Sequence, residues 1–210
     1  MEGESTKIIE RGEGLNIEFK RTIGHAEKIA KSIAAFANTS GGVLLIGVED
    51  NGVVSGVKSE LKELQKLEKA STEYLDPPVA LYIKSELIQG RKILRVDVAE
   101  SLDKPHLVQN HSGVRMIYIR VKDKSVPVPR LLFEGTTDVE VKSLLDSRHV
   151  KSLIQYLKEH DFINTKEYAK MINISEKRSN RMLQDLAAKQ VLIKHVRNKN
   201  ESYSLKYAVD

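Results

Sequence analysis

IAAFANTSGGVLLIGVEDNGVVSGV, residues Ile33 to Val57, contains the change of hydrophobic period that decides the fold. Its beginning completes a helical pattern that starts at Ala26. Ile29, Ala30, Ile33, Ala34 and Ala37 recur at helical spacing, while Lys28 and Lys31 fall outside that stripe. Gly41-Gly42 then interrupts the chain, and Val43 to Val48 is an unbroken apolar run that suits a buried strand. Asn51-Gly52 is a strong hairpin signal and is expected to lead into a second strand, Val53 to Val57. Helix, buried strand and turn in this order predict a mixed α/β domain.

On the N-terminal side, Asn16 to Lys20 alternates, with Ile17 and Phe19 on one face and Asn16, Glu18 and Lys20 on the other. On the C-terminal side, Ser59 to Tyr74 reads as a Lys/Glu/Leu helix that Pro77-Pro78 keeps from continuing. Strands are predicted over Val79 to Lys84, Lys92 to Val98 and Arg115 to Val121. Lys142 to Ser147 lacks hydrophobic periodicity beyond Leu144-Leu145 and marks the expected join, giving domains at 1–142 and 148–210.

The last third has a different rhythm. Arg148 to His160 is one amphipathic helix with Val150, Leu153, Ile154 and Leu157 inward. Asn164-Thr165 caps a second, short helix through Met171, and Ser175 caps a third in which Leu183 and Leu186 face a core. Val191 to Val196, the polar tip Asn198-Lys199-Asn200, and Tyr203 to Tyr207 form a hairpin. This is the order of a small winged-helix domain following the α/β domain.

Charge separates the same two regions. Ser147 to Asp210 holds 13 Lys/Arg against 7 Asp/Glu; of the totals of 34 and 29, that leaves 21 against 22 for the preceding residues. The net charge of +5 therefore originates in the last third, as expected of a polyanion-binding appendage on a near-neutral body. Cysteine is absent, which excludes a disulfide framework and thiolate metal sites. No apolar run approaches the roughly 20 residues of a membrane helix. The first ten residues carry Glu2, Glu4 and Glu10 and no apolar signal core, so a cytoplasmic location with no membrane partner is expected.

The third helix of the C-terminal region presents Lys177, Arg178, Asn180, Arg181 and Gln184 in its first turns, with 177, 181 and 184 on one face. In a helix-turn-helix this element enters the major groove, where Arg and Lys pair with phosphates or guanine edges and Asn and Gln suit adenine. Lys194, Arg197 and Lys199 would line the wing and meet backbone phosphates. The competing reading is a protein-interaction module whose basic helix is merely solvated.

Three stretches carry a resemblance to a known family: GEGLNIEFKRT (Gly12 to Thr22), the opening stretch Ile33 to Val57, and MIYIRVKDKS (Met116 to Ser125). Over about residues 8 to 140 the chain resembles the Schlafen-type AlbA domain, found in many bacterial proteins, some with a C-terminal helix-turn-helix. One departure is that family members often place a glycine just after Tyr-x-Arg, where this chain has Val121-Lys122-Asp123.

The resemblance implies two activities. Bacterial members with a helix-turn-helix are taken as DNA-binding transcriptional regulators, which commonly act as homo-oligomers. Some Schlafens are metal-dependent ribonucleases acting on structured RNA, and their carboxylate motif falls here on Glu13, Glu18, Lys20 and Asp50. On that reading Glu13, Glu18 and Asp50 would hold Mg²⁺ or Mn²⁺ to activate water, and Lys20, two residues along the strand from Glu18, would orient that water or clamp the scissile phosphate. The plainer reading makes Asp50 a turn residue and Glu18 and Lys20 exposed strand charges.

Two further features have two readings each, and one pattern is set aside. Asn38 to Gly42 offers either a backbone anion nest or an ordinary helix end. Tyr118 and Arg120 share a strand face that either meets nucleic acid or packs. His106 and His111 are five apart, which is not a convincing zinc spacing.

Overall fold

The computed structural model describes residues 3–135, 138–197 and 200–209. The chain divides into two compact units, the first gathering the described residues up to Val128 together with Val209 and the second spanning Pro129–Ala208.

The first unit is mixed α/β. Its elements are α1 (Glu4–Arg11), β1 (Ile17–Lys20), α2 (Ala26–Asn38), β2 (Gly42–Ile46), α3 (Glu60–Thr72), β3 (Leu75–Asp76), β4 (Tyr82–Ile88), β5 (Arg91–Val98), β6 (Leu107–Gln109), β7 (Arg115–Val121) and β8 (Lys124–Val128). A four-stranded sheet runs in the order β1-β2-β5-β4, with β1 parallel to β2 and the other neighbours antiparallel. A second sheet holds β3, β6, β7 and β8.

Helix α2 is the centre of the main core. Its alanine-rich stripe carries no bulk to hold neighbours away, and Ile29, Ile33 and Phe36 pack with Leu44, Ile46, Leu94 and Val96 of the four-stranded sheet. The opposite face of that sheet is covered in part by Ile8 of α1, which joins Phe19, Leu45, Val48, Val54 and Ile93. The N-terminal segment, which carries no apolar signal core, thus forms a helix; Ile8 and Ile9 are its apolar contribution.

Asn38 to Gly42 is a helix end rather than an anion nest. The buried Asn38 amide accepts from His106 N–H at 2.8 Å and donates to the carbonyls of His106 and Tyr118, both at 3.0 Å. Gly41 N–H donates back to Phe36 at 2.9 Å, closing the helix. Gly41 has φ +69°, and a Cβ there would stand 2.8 Å from the Val98 carbonyl oxygen and 2.9 Å from Glu100 N.

Several expectations are corrected. The Asn51-Gly52 turn forms, with Gly52 N–H donating to Glu49, but the expected strand over Val53 to Val57 reduces to a single bridge between Val48 and Val54. The strand expected at Val79 to Lys84 lies later, over Tyr82–Ile88, where the tight turn at Gln89 and Gly90, both at positive φ, pairs it with residues 91–97 of β5. Lys122, within the Val121-Lys122-Asp123 segment, has φ +56° in the turn between β7 and β8, a conformation that suits glycine better than lysine.

The second unit contains α4 (Arg130–Glu134), α5 (Val139–Asp146), α6 (Arg148–Glu159), α7 (Thr165–Ile172), α8 (Glu176–Ala188) and the antiparallel pair β9 (Leu192–Arg197) and β10 (Asn200–Leu205). Lys142 to Asp146, part of the expected join, is helical, because Asp138 caps α5 by accepting from Glu140 and Val141 N–H. Asn164 and Glu167 form a reciprocal capping box on α7, and Ser175 caps α8. Val150, Leu153, Ile154, Leu157, Leu183 and Leu186 are buried together around Tyr168 and Tyr203. Burial raises the Tyr168 hydroxyl pKa to about 12. No helix among the described residues is long and apolar enough to cross a membrane.

Replacing Gly41 with alanine should lower stability by about 2 kcal/mol or more, since the side chain meets backbone on one side and a left-handed φ on the other. Calorimetry of the full chain measures this, and an unchanged melting temperature would show that the turn relaxes freely.

Candidate functional site

Two groups of residues were expected to act, and each lies within one unit. In the first unit, both faces of β1 are covered, so Glu18 is 5% exposed and is not an exposed strand charge. One of its carboxylate oxygens lies 2.6 Å from Arg120 Nη1; the other accepts from Ser32 Oγ at 2.8 Å and lies 2.9 Å from Lys20 Nζ. Lys20 Nζ also donates to the Phe19 carbonyl at 2.8 Å.

Arg120 is the larger commitment. Its side chain is 1% exposed and its guanidinium lies 4.6 Å from the Phe36 ring centroid. Nε donates to the Leu15 carbonyl at 3.2 Å, Nη2 to the Gly14 carbonyl at 2.8 Å, and Nη1 to Ser125 Oγ at 3.2 Å as well as to Glu18. The Arg120 backbone N–H donates to Thr39 Oγ1 at 2.9 Å. Tyr118, on the same strand, is buried, and burial raises its hydroxyl pKa. Packing, rather than a face offered to nucleic acid, is therefore what this strand shows.

The carboxylates expected to share a metal do other work. Glu13 accepts from Phe19 N–H at 2.7 Å and so fixes the start of β1. Asp50 is exposed in the turn after Val48. Among the described residues no group of three His, Cys, Asp or Glu is placed to hold a metal ion. The residues present do not fit Mg²⁺ or Mn²⁺ in this arrangement, because the charge on Glu18 is already matched by two cations. His106 is buried with Nδ1 2.7 Å from the Pro77 carbonyl, whereas His111 is exposed beside Glu27.

In the second unit, Lys177, Arg178, Arg181 and Gln184 are exposed on α8. None of these three cations makes an ion pair among the described residues, although Glu176 and Asp185 lie on the same helix. Asn180 departs from the expected set, being half-buried with its Oδ1 turned inward. On β9, Arg197 is exposed, but Lys194 is held 2.6 Å from Glu201, whose hydrogen bond raises the lysine pKa. Lys199 lies outside the described residues.

Sequence reasoning missed the partners. Arg120 stands 102 residues from Glu18, and no local pattern joins them. Arg95 is similarly hidden: its guanidinium lies 2.8 Å from Asp97 and from Glu4, and that contact lowers the Glu4 pKa.

Comparison with known proteins gives one family, Schlafen AlbA_2, which matches residues 13–129. None of the curated proteins matches the chain. Among solved structures, the DIP2311 protein from Corynebacterium diphtheriae is 25% identical with a TM-score of 0.45, over 57% of this chain and 23% of that one. The N-terminal domain of a RecG-related protein from Nitrosomonas europaea is 24% identical with a TM-score of 0.44, over 52% of this chain and 83% of that one. The chain thus spans about a quarter of the length of the first of these.

Glu18→Gln should destabilise the protein by about 3–5 kcal/mol, because it leaves a buried guanidinium without its counter-charge. Glu18→Met combined with Arg120→Met should cost clearly less than the sum of the two single changes, as denaturant titration would report. Additive losses would mean that the two side chains do not depend on each other.

Proposed function

The chain belongs to the Schlafen AlbA_2 family, and from that premise we propose that it is a DNA-binding protein, a transcriptional regulator whose second unit is a winged helix that places α8 in the major groove. The observation that carries this reading is the cation set Lys177, Arg178 and Arg181, exposed and without an ion pair among the described residues, on the first turns of one capped helix. Three helices followed by a hairpin, with Ile163 bridging Tyr203 beside it, fit that use of α8. Ser179 Oγ donates to the Thr165 carbonyl at 2.8 Å, tying the starts of α7 and α8 together as a rigid pair. Arg197 extends the positive surface along β9, while Lys194 contributes little because Glu201 neutralises it.

The metal-dependent ribonuclease reading has less support, since Glu18 is matched by Arg120 and Lys20 and no three potential ligands gather among the described residues. Substituting Glu18 would not diagnose catalysis, because the fold itself leans on it. Asp50→Asn is the sound control, because the residue is exposed.

DNA affinity should fall steeply with salt, with log K declining by about 3 to 4 per decade of salt concentration if the three cations and Arg197 meet phosphates. Arg178→Ala with Arg181→Ala should weaken binding roughly tenfold or more and reduce that slope by about 2, whereas Lys194→Ala should change little. Fluorescence anisotropy measures all three. An unchanged slope in the double variant would remove α8 from the contact, and Mn²⁺-dependent tRNA cleavage lost in Asp50→Asn would favour the enzyme.

A further inference from the structure

Strand β4 is an open edge. It is the last strand of the four-stranded sheet, and β5 is its only strand partner among the described residues. Which of its backbone groups face outward follows from the turn that joins it to β5. Gln89 and Gly90 have φ of 52° and 72°, a two-residue turn closed by a hydrogen-bonded pair between Ile88 and Arg91. Alternation then directs Tyr82, Lys84, Glu86 and Ile88 toward β5 and leaves the N–H and C=O of Ile83, Ser85 and Leu87 on the open side. Lys92 agrees with this parity: it stands opposite Leu87, and its carbonyl turns away from β4 to accept from Val57 N–H at 2.8 Å. No hydrogen bond reaches the outward groups of Ile83, Ser85 or Leu87 among the described residues.

An open edge of seven residues is a hazard, and this one adds exposed apolar side chains, with Tyr82 62% and Leu87 75% exposed. A lysine on an edge strand ordinarily deters pairing. Here the sequence around it is self-complementary. Antiparallel pairing of Tyr82–Ile88 with its own copy, centred on Ser85, sets Lys84 opposite Glu86, Ile83 opposite Leu87 and Tyr82 opposite Ile88, each twice by symmetry. The same register pairs the outward backbone groups of residues 83, 85 and 87 with one another. Lys84 and Glu86 then fall at the non-hydrogen-bonded positions, where opposing side chains come closest. Glu60 and Lys92, near Ser85, neutralise each other at 2.7 Å and put no net charge on the two-fold axis.

We propose that β4 is the interface of a two-fold symmetric dimer in which two copies of this chain join their four-stranded sheets edge to edge, with Ser85 on the axis and Lys84–Glu86 pairs selecting the register. The contact is a strand edge, smaller than the roughly 1,200 Å² of a standard interface, so the dimer is reversible and concentration-dependent. It is independent of whether the second unit binds DNA.

Sedimentation equilibrium of the full chain should show a monomer–dimer equilibrium. Glu86→Lys and Lys84→Glu should each raise its dissociation constant roughly tenfold or more, since each sets like charges opposite one another twice, and the double exchange K84E/E86K should restore it to within about threefold. Unchanged melting temperatures would show that the variants fold. The chain has no cysteine, so Ser85→Cys gives a single thiol per copy. Across the axis its Cα partner would be about 5.5 Å away, within disulfide reach, and mild oxidation should cross-link it. Leu87→Cys, four register positions from its own copy and thus about 14 Å away, should not cross-link. A wild-type chain that stays monomeric, a dimer indifferent to both charge reversals, or equal cross-linking at 85 and 87 would each overturn the proposal.

Discussion

A guanidinium sealed from water must find acceptors for its donors and a charge to balance its own, and in this protein that requirement joins four segments. Arg120 of β7 reaches Glu18 of β1, the Gly14 and Leu15 carbonyls ahead of β1, and Ser125 of β8, while its face lies on Phe36 of α2. Its own backbone N–H is taken by Thr39, just past the end of α2. Burying such a pair contributes little net stability against an apolar alternative, but breaking one half of it is costly. The two sheets of the first unit are consequently held in one relation by a contact that tolerates few substitutes. Asn38 adds a second tie of the same kind, between the end of α2 and the chain at His106 and Tyr118.

What was legible in the sequence was what local chemistry determines. The helix through Ala26 to Asn38, the Gly-Gly stop and the apolar run after it stand where period and turn residues put them. So do the capped helices from Arg148 onward, because their N-caps and apolar stripes are local signals. Pairing was not legible. Val53 to Val57 has the composition of a strand, yet only Val54 finds a bridge. Glu18 shows the same limit in the site: alternation predicts a polar outward face for β1, but α2 and Arg120 cover that face, and only tertiary structure reveals it.

Counting charge also differs from locating available charge. The last third carries the basic excess, but its cations are unequal. On α8 three make no ion pair among the described residues, whereas hairpin register brings Glu201 to Lys194, and Lys189 reaches Glu140. The useful cations are those that the fold leaves unmatched. For a polyanion this matters more than the total, because counterions are released only where phosphate meets an unneutralised charge.

The carboxylate motif of β1 acquires a structural explanation from the same reasoning. The carbonyls of Gly14 and Leu15 precede the strand, and the Arg120 fork supplies donors to both. A hydrocarbon in place of Arg120 would fill the space but strand those acceptors, at a cost comparable to the pair itself. Arginine is therefore the residue that closes this corner, and an arginine buried there demands an anion beside it. Glu18 supplies that anion, Ser32 and Lys20 satisfy its second oxygen, and Glu13 fixes the strand through Phe19 N–H. A Glu–Phe–Lys sequence can thus be required by the architecture alone: the glutamate for the guanidinium, the phenylalanine for the core on the other face, and the lysine for the remaining charge on the carboxylate.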